Sequence, residues 1–287
     1  MALLLAPWAL LIVAAMWGIS FVWMKDILDQ QDVLSFLASR FIMSALLMLA
    51  IKPSILRKID RELLRKGTLT GFALWSGFTL QTFGLERSTP AITGFVTGLY
   101  VVLTPIIAAL IMRERLPVAI WRYVLLATIG LGILSISGWQ VGTGELLVLA
   151  SALCYAIHIT MLSAWSARFD TFALTLIQLA TCALLSAIPA SLNGFQTPPD
   201  AQVWGVVIFT ALVCTVIAFI IQTWSQARIS ATKVAVILTM EVVFAALFSI
   251  ALGREPLTWR VAIGGACVVV AMLAIVQPRF SPAPVAK

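Results

Sequence analysis

The chain has 287 residues, of which 61% are hydrophobic and only 11% charged, with a mean hydropathy of +1.05. A soluble domain carries about 25% charged residues and cannot bury this much apolar surface, so lipid is the solvent for most of the chain. The formal net charge of +7 is distributed in a way that orients membrane helices, described below, and does not point to nucleic acid.

A bilayer core about 30 Å thick needs about 20 apolar residues of helix, and ten such runs follow one another. The segment Met1 to Gly18 resembles a signal-peptide core, but no Lys or Arg precedes it and the run continues past a typical apolar region, so it reads as an uncleaved first helix. That helix, Pro7–Met24, places Trp17, Ser20 and Met24 on one face, as a pocket wall or as packing. The second, Leu34–Ile51, contains Arg40 and leads into a basic loop, Lys52 to Gly67. The third, Thr68–Leu85, offers Trp75 and Phe78 as an apolar wall beside the polar Gln81. The fourth, Ala91–Ile111, carries Gly94 and Gly98 as a GxxxG pair, then Tyr100 and Pro105. These glycines allow close helix approach, and Pro105 removes a helix hydrogen bond and should kink the helix, so Gly94, Gly98 and Pro105 are the hinge or gate candidates.

After the fifth helix, Ile120–Ser137, the sixth, Gly144–Trp165, holds the only histidine, His158. It can take up a proton or donate to a solute, or it can be a neutral core histidine. The seventh is Phe172–Ala190. In the eighth, Val203–Trp224, the residues Thr215, Phe219, Gln222 and Gln226 follow i, i+4, i+7, i+11 spacing and share a face. An unpaired amide in lipid costs several kcal/mol, so this face turns inward, toward a solute or a neighbouring helix. The ninth, Ala231–Leu252, contains Glu241, the acidic residue deepest in an apolar run. A mid-membrane charge costs about 2.5–3.5 kcal/mol, so Glu241 must pair, hold a proton or face water. Trp259–Val276 is the tenth, and Gln277 to Lys287, with three prolines, reads as a short disordered tail. The four cysteines lie in apolar runs without CxxC spacing and read as small packing residues.

Placing the Lys52–Gly67 loop in the cytoplasm puts fourteen positive residues on that side and four on the other, with both termini cytoplasmic. The chain also repeats. Leu80-Gln81-Thr82 is echoed by Ile221-Gln222-Thr223, and Phe78 by Phe219, at an offset of 141 that also pairs Tyr100 with Glu241. Near the starts of the halves the offset falls to 137, which pairs Trp17, Ser20 and Met24 with Cys154, Ile157 and Met161. Five helices per half is an odd number, so the second half enters the membrane from the opposite face. This inverted repeat is the plan of many secondary transporters.

Trp17-Gly18-Ile19-Ser20-Phe21-Val22, Arg40-Phe41, the run Gly94 to Val102 followed by Pro105 and Arg113-Glu114-Arg115, and Glu241 to Leu247 followed by Gly253-Arg254-Glu255 resemble, in order, the motifs of EamA-type permeases. These belong to the drug/metabolite transporter (DMT) superfamily, and within it the chain is similar to the YddG-like amino acid exporters. The resemblance implies an all-α integral membrane protein with ten transmembrane helices in two inverted five-helix EamA repeats around a central cavity. Residues 1–139 form the first repeat, 140–277 the second, and 278–287 the cytoplasmic tail. The implied function is a secondary transporter exporting small organic solutes, foremost amino acids and related metabolites, across the bacterial inner membrane by alternating access. Cationic drugs, other amphipathic compounds and nucleobase-type metabolites are the runner-up cargo. The cavity candidates are Trp17, Ser20, Met24, Trp75, Phe78, Gln81, Tyr100, His158, Thr215, Phe219, Gln222 and Glu241.

Other classes fit poorly. One histidine without a partnered acid argues against an intramembrane hydrolase and against a metal centre, and no Walker sequence is present for ATP-driven pumping. No cofactor is expected. The expected partners are a small-molecule substrate and the bilayer, with no nucleic acid. One chain supplies both halves, so a monomer suffices.

Overall fold

The computed structural model describes residues 2–88, 90–112, 118–135, 142–253 and 256–276. Among these residues the chain is helical in the expected order: α1 (Ala2–Ile27), α2 (Val33–Ile51), α3 (Arg61–Arg87), α4, α5 (Val118–Ser135), α6 (Thr143–Trp165), α7 (Thr171–Leu192), α8 (Ala201–Gln226), α9 and α10 (Trp259–Val276). Two helices are interrupted. α4 consists of α4a (Pro90–Gly98) and α4b (Tyr100–Met112), and α9 of α9a (Ala231–Leu238) and α9b (Met240–Ala251). Within α8, Leu212–Ile217 forms a π-helical turn. The expected motifs at Arg113-Glu114-Arg115 and Arg254-Glu255, and the tail, lie outside the described residues.

Seven of these helices are long and apolar enough to cross a membrane, and α5 and α10 are apolar over shorter stretches. α3 is the longest helix, at 27 residues, but its first turns carry Arg61, Glu62, Arg65 and Lys66. It starts seven residues before the expected Thr68 because a helix is bounded by hydrogen-bonding caps and not by hydropathy. The Asp60 carboxylate accepts from the Leu63 N–H at 2.7 Å. Asp32, Asp170 and Asp200 cap α2, α7 and α8 in the same way.

The packing displays the inverted repeat. α2 packs on α7 and α5 on α10, each helix against its own counterpart. α1 packs on α9b and α8, while the equivalent helix α6 packs on α4b and α3. Pairs that are either self-matched or exchanged between halves are what a two-fold axis in the membrane plane produces. Both self-matched pairs are peripheral, so α1, α3, α4, α6, α8 and α9 surround the centre.

Contacts between connections bear out the alternation of loops. On one face Lys58 bonds Asp170 at 2.5 Å, Lys66 lies 4.3 Å over the Trp165 ring, and Lys52 lies 4.8 Å over Phe172. On the other face Lys25 Nζ donates to Leu85 O at 2.9 Å, Ser88 Oγ to Glu145 Oε1 at 2.7 Å, and Gln31 Nε2 to Gln196 O at 3.1 Å.

The Lys58–Asp170 contact has a pH signature. Partial burial alone would raise the Asp170 pKa, but the Lys58 bond and the Ala173 N–H outweigh it and hold the carboxyl below its ordinary range. A depressed carboxylate stabilises the fold above its unfolded pKa of about 3.9 and loses that contribution as pH falls through the folded value. Lys58 is half-exposed, so the pair is worth no more than about 1 kcal/mol. Asp170→Asn, which keeps a capping oxygen, should therefore unfold with slightly less loss of thermal stability than the parent between pH 5 and pH 3.

Candidate functional site

The inner helices enclose a cavity whose wall comes from both halves. From α1 come Trp17, Ser20, Phe21 and Met24, from α3 Leu74, Phe78 and Gln81, and from α4 Thr97 and Tyr100. The second half supplies Tyr155, His158 and Ile159 from α6, Phe219 and Gln222 from α8, and Leu238 and Glu241 from α9. α2 adds one residue, Arg40. Water centres have about 50 Å³ in which to move. That is room for a few waters at roughly 10–15 Å³ each, so a larger solute requires the wall to open.

The wall repeats with the fold. Phe78 and Gln81 face the cavity as do Phe219 and Gln222, and Thr97 and Tyr100 as do Leu238 and Glu241, at the expected offset of 141. On α1 and α6 the working offset is 138. Trp17, Ser20 and Phe21 match Tyr155, His158 and Ile159, not the Cys154 series expected from an offset of 137. One residue is 100° of helix rotation, so that slip hid Tyr155 from the sequence reading.

Aromatic rings form one side. Phe219 lies 5.5 Å from Trp17, 6.0 Å from Phe78 and 6.1 Å from the His158 ring, and Phe78 lies 5.7 Å edge-on to Tyr155. The polar groups differ in how fully they are satisfied. Gln81 is bonded at both ends of its amide, accepting from Tyr155 OH at 2.9 Å and donating to Thr97 Oγ1 at 3.0 Å, which ties α3 to α6 and α4a. His158 Nε2 lies 2.8 Å from Gln178 Oε1. The Gln178 amide N–H is committed to Leu174 O at 3.1 Å, so the imidazole is the donor. Gln222 Nε2 donates to Gln226 Oε1 at 2.9 Å, but Gln222 Oε1 is buried without a hydrogen-bond partner, as is Tyr100 OH.

Arg40 is the residue that the sequence reading passed over. It is 1% exposed, the bulkiest of the fully buried side chains, and makes no ion pair among the described residues. Its Nε donates to Thr215 Oγ1 at 2.7 Å, Nη2 to Cys214 O at 3.4 Å, and Nη1 lies 3.8 Å from Met24 Sδ. The guanidinium sits 4.7 Å over the Phe78 ring, a cation–π arrangement. The signal available in sequence was a lone charge inside an apolar span, which is expensive unless it serves a polar interior.

The π-turn explains how Arg40 is held. In an α-helix the Ala218 N–H would pair with Cys214 O. Here it reaches Thr215 O and Val213 O. Cys214 O instead accepts from Trp17 Nε1 at 2.8 Å and from Arg40. Thr215 Oγ1 in turn donates to Thr210 O, five residues back, at 2.8 Å. Thr215 therefore supports Arg40 from behind and does not line the cavity. Trp75 is also off the wall, half-buried beside the exposed Phe72 at 5.8 Å.

The hinge candidates fall near the cavity, not on it. α4 breaks at Leu99, directly after Gly98, and α4b runs on through Pro105. A methyl on Gly98 would meet the flexible end of Leu131, and one on Gly94 would make only ordinary contact with Val242, so neither glycine mediates backbone-to-backbone approach. α9 breaks at Thr239 without a proline, and Thr239 Oγ1 donates to Val236 O at 2.7 Å. The breaks fall one residue before Tyr100 and two before Glu241, within one residue of equivalent positions at the offset of 141.

A family model described as "EamA-like transporter family" matches residues 4–136 and again 142–277. An uncharacterized transporter of Archaeoglobus fulgidus is 34% identical over 256 residues, covering 89% of this chain and 80% of the relative. A solved crystal structure shares the fold, with a TM-score of 0.80 over 97% of both chains at 20% identity. The tandem matches coincide with the two halves that pack about the cavity, and the chain is a multi-pass membrane protein belonging to the EamA-like transporter family.

Proposed function

We propose that the chain is a secondary transporter that exports amino acids and related small metabolites across the bacterial inner membrane by alternating access, as the YddG-like exporters do, and is not an enzyme. One observation carries this reading: an interior cavity is walled at equivalent positions by two inverted halves, beside a break in each of α4 and α9. Inverted repeats can exchange conformations, so a cavity on their axis opens alternately to either side when one half adopts the arrangement of the other. Breaks within two residues of Tyr100 and Glu241 provide the joints. The wall mixes aromatic rings with a guanidinium, a carboxyl and amides, which suits a small solute with both polar and apolar parts. The basic face containing Lys52, Lys58 and Lys66 is the cytoplasmic one, which places both termini inside.

A cationic drug or other amphipathic compound is the second reading, favoured by Glu241 in an aromatic-rich wall. Arg40 in the same cavity opposes it, because like charges in a dry site repel strongly. Counterflow in proteoliposomes separates the two. Preloaded unlabelled amino acids should accelerate uptake of labelled amino acids, and organic cations should not. Acceleration by organic cations alone would overturn the amino acid reading in favour of the second.

A further inference from the structure

We propose that Arg40 is the carboxylate-binding residue of the cavity and that Glu241, on the other half, receives the ammonium, so that a zwitterionic solute binds in one fixed orientation. This rests on the transport reading above and names the chemistry that selects the substrate.

Four observations converge. First, Arg40 is a fully buried cation with no carboxylate partner among the described residues. An isolated charge taken out of water is costly unless a counter-charge arrives. Second, its hydrogen bonds hold the guanidinium in place without neutralising it. Nε and one N–H of Nη2 go to neutral oxygens, and Nη1 meets only the Met24 thioether. Of the five N–H groups a guanidinium carries, two remain for a ligand oxygen. Third, Glu241 lines the same cavity and makes no ion pair among the described residues. Fourth, Gln222 Oε1 and Tyr100 OH are buried in this wall without partners, and an amide oxygen is an acceptor suited to an ammonium.

The charges also break the two-fold symmetry. At the offset of 138 the counterpart of Arg40 is Gln178, which serves His158. At the offset of 141 the counterpart of Glu241 is Tyr100. Each half thus supplies one charge where the other is neutral. A solute with one positive and one negative end then has a single best orientation, although the surrounding fold is nearly symmetric.

The test uses purified full-length protein, in proteoliposomes for uptake and in detergent for ligand-induced thermal stabilisation. The probes are alanine, leucine and phenylalanine, each with its amide, which lacks the carboxylate, and its deaminated acid, which lacks the ammonium. The parent should take the amino acids best, the deaminated acids weakly and the amides not at all. Arg40→Gln should lower amino acid uptake about 10- to 100-fold and abolish the preference over amides. Arg40→Lys, which keeps the charge but not the fork, should keep the preference with weaker uptake, and it reads the same selectivity if the glutamine variant does not fold. Glu241→Gln should reduce the amino acids to the level of the deaminated acids.

Amino acid uptake with equal uptake of amides would overturn the carboxylate site and leave the transport reading intact. An unchanged preference in both Arg40 variants would do the same. Stabilisation by deaminated acids without any amino acid uptake would overturn the amino acid reading while the Arg40 site stands. No response to any of these probes would overturn both.

Discussion

Replacing Gly18 with valine should abolish transport and lower the yield of folded protein, whereas Gly205→Ala should leave both unchanged. A Cβ at Gly18 would lie 2.8 Å from the carbonyl oxygen of Glu241, 2.8 Å from the Ala245 nitrogen and 2.7 Å from Phe244 Cβ. Two of those atoms are backbone, so the clash is relieved only by moving α9b away from α1. Overpacking of this kind costs about 1–3 kcal/mol for a methyl, and a branched side chain costs more. The displaced element carries Glu241 on the cavity wall, so the graded variant Gly18→Ala should lose transport before it loses fold. A methyl at Gly205 meets nothing within 4 Å, so alanine there gains about 0.5–1 kcal/mol of helix stability. Thermal unfolding and proteoliposome uptake of the three variants check this. Normal uptake by Gly18→Val would mean that α1 and α9b are not held at this distance in the working protein.

Much of this architecture was legible in the sequence because hydropathy and hydrogen-bond caps act locally. The ten apolar runs, their order and the inverted repeat follow from lipid as solvent and from an odd helix count per half. Ten of the twelve cavity candidates, among them Gln81, Gln222 and Glu241, line the cavity, because polar groups in an apolar span have few other places to go. The periodicity that found them says which face turns inward but not how far it reaches. Thr215 shares a face with Phe219 and Gln222, yet it stops short of the wall and supports Arg40 from behind. Trp75, one turn from Phe78, is half-buried beside Phe72 and does not reach the wall.

Three features were hidden for physical reasons. The α4 break comes directly after the hinge candidate Gly98, but the α9 break at Thr239 follows no strong sequence signal, and Pro105, the obvious breaker, is accommodated inside α4b. Helices in lipid tolerate proline where neighbours satisfy the freed carbonyl. Tyr155 was lost to a single-residue slip in the repeat offset. Arg40 carried the same signal as Glu241, a lone charge in an apolar span, but what such a charge serves is set by surroundings remote in sequence. The Cys214 carbonyl, the Thr215 hydroxyl and the Phe78 ring around it are separated from it by 174, 175 and 38 residues of sequence.

Deleting Leu212 shortens the π-turn to ordinary helix, and uptake should fall to background while the protein still inserts. The turn exists to hold one surplus residue, and Leu212 is the choice for removal because its side chain is exposed toward lipid. Once the surplus is gone, the Ala218 N–H regains an α-helical partner and Cys214 O is drawn into the helix ladder. Trp17 and Arg40 then lose their shared acceptor, and the segment before the turn rotates by about 100° against the segment after it. A buried guanidinium deprived of its acceptors costs about 1–3 kcal/mol or more. Two finer variants separate the loss of this anchor from general damage to α8. Thr215→Val keeps the shape and removes only the hydroxyl that accepts from Arg40 Nε, so it should reduce uptake about 10- to 100-fold, in proportion to one hydrogen bond to a charged group. Thr215→Ser restores the hydroxyl and should restore uptake. If Thr215→Val and the Leu212 deletion both transport normally, Arg40 does not depend on α8 for its position, and the π-turn then serves only the packing of α8 against α1.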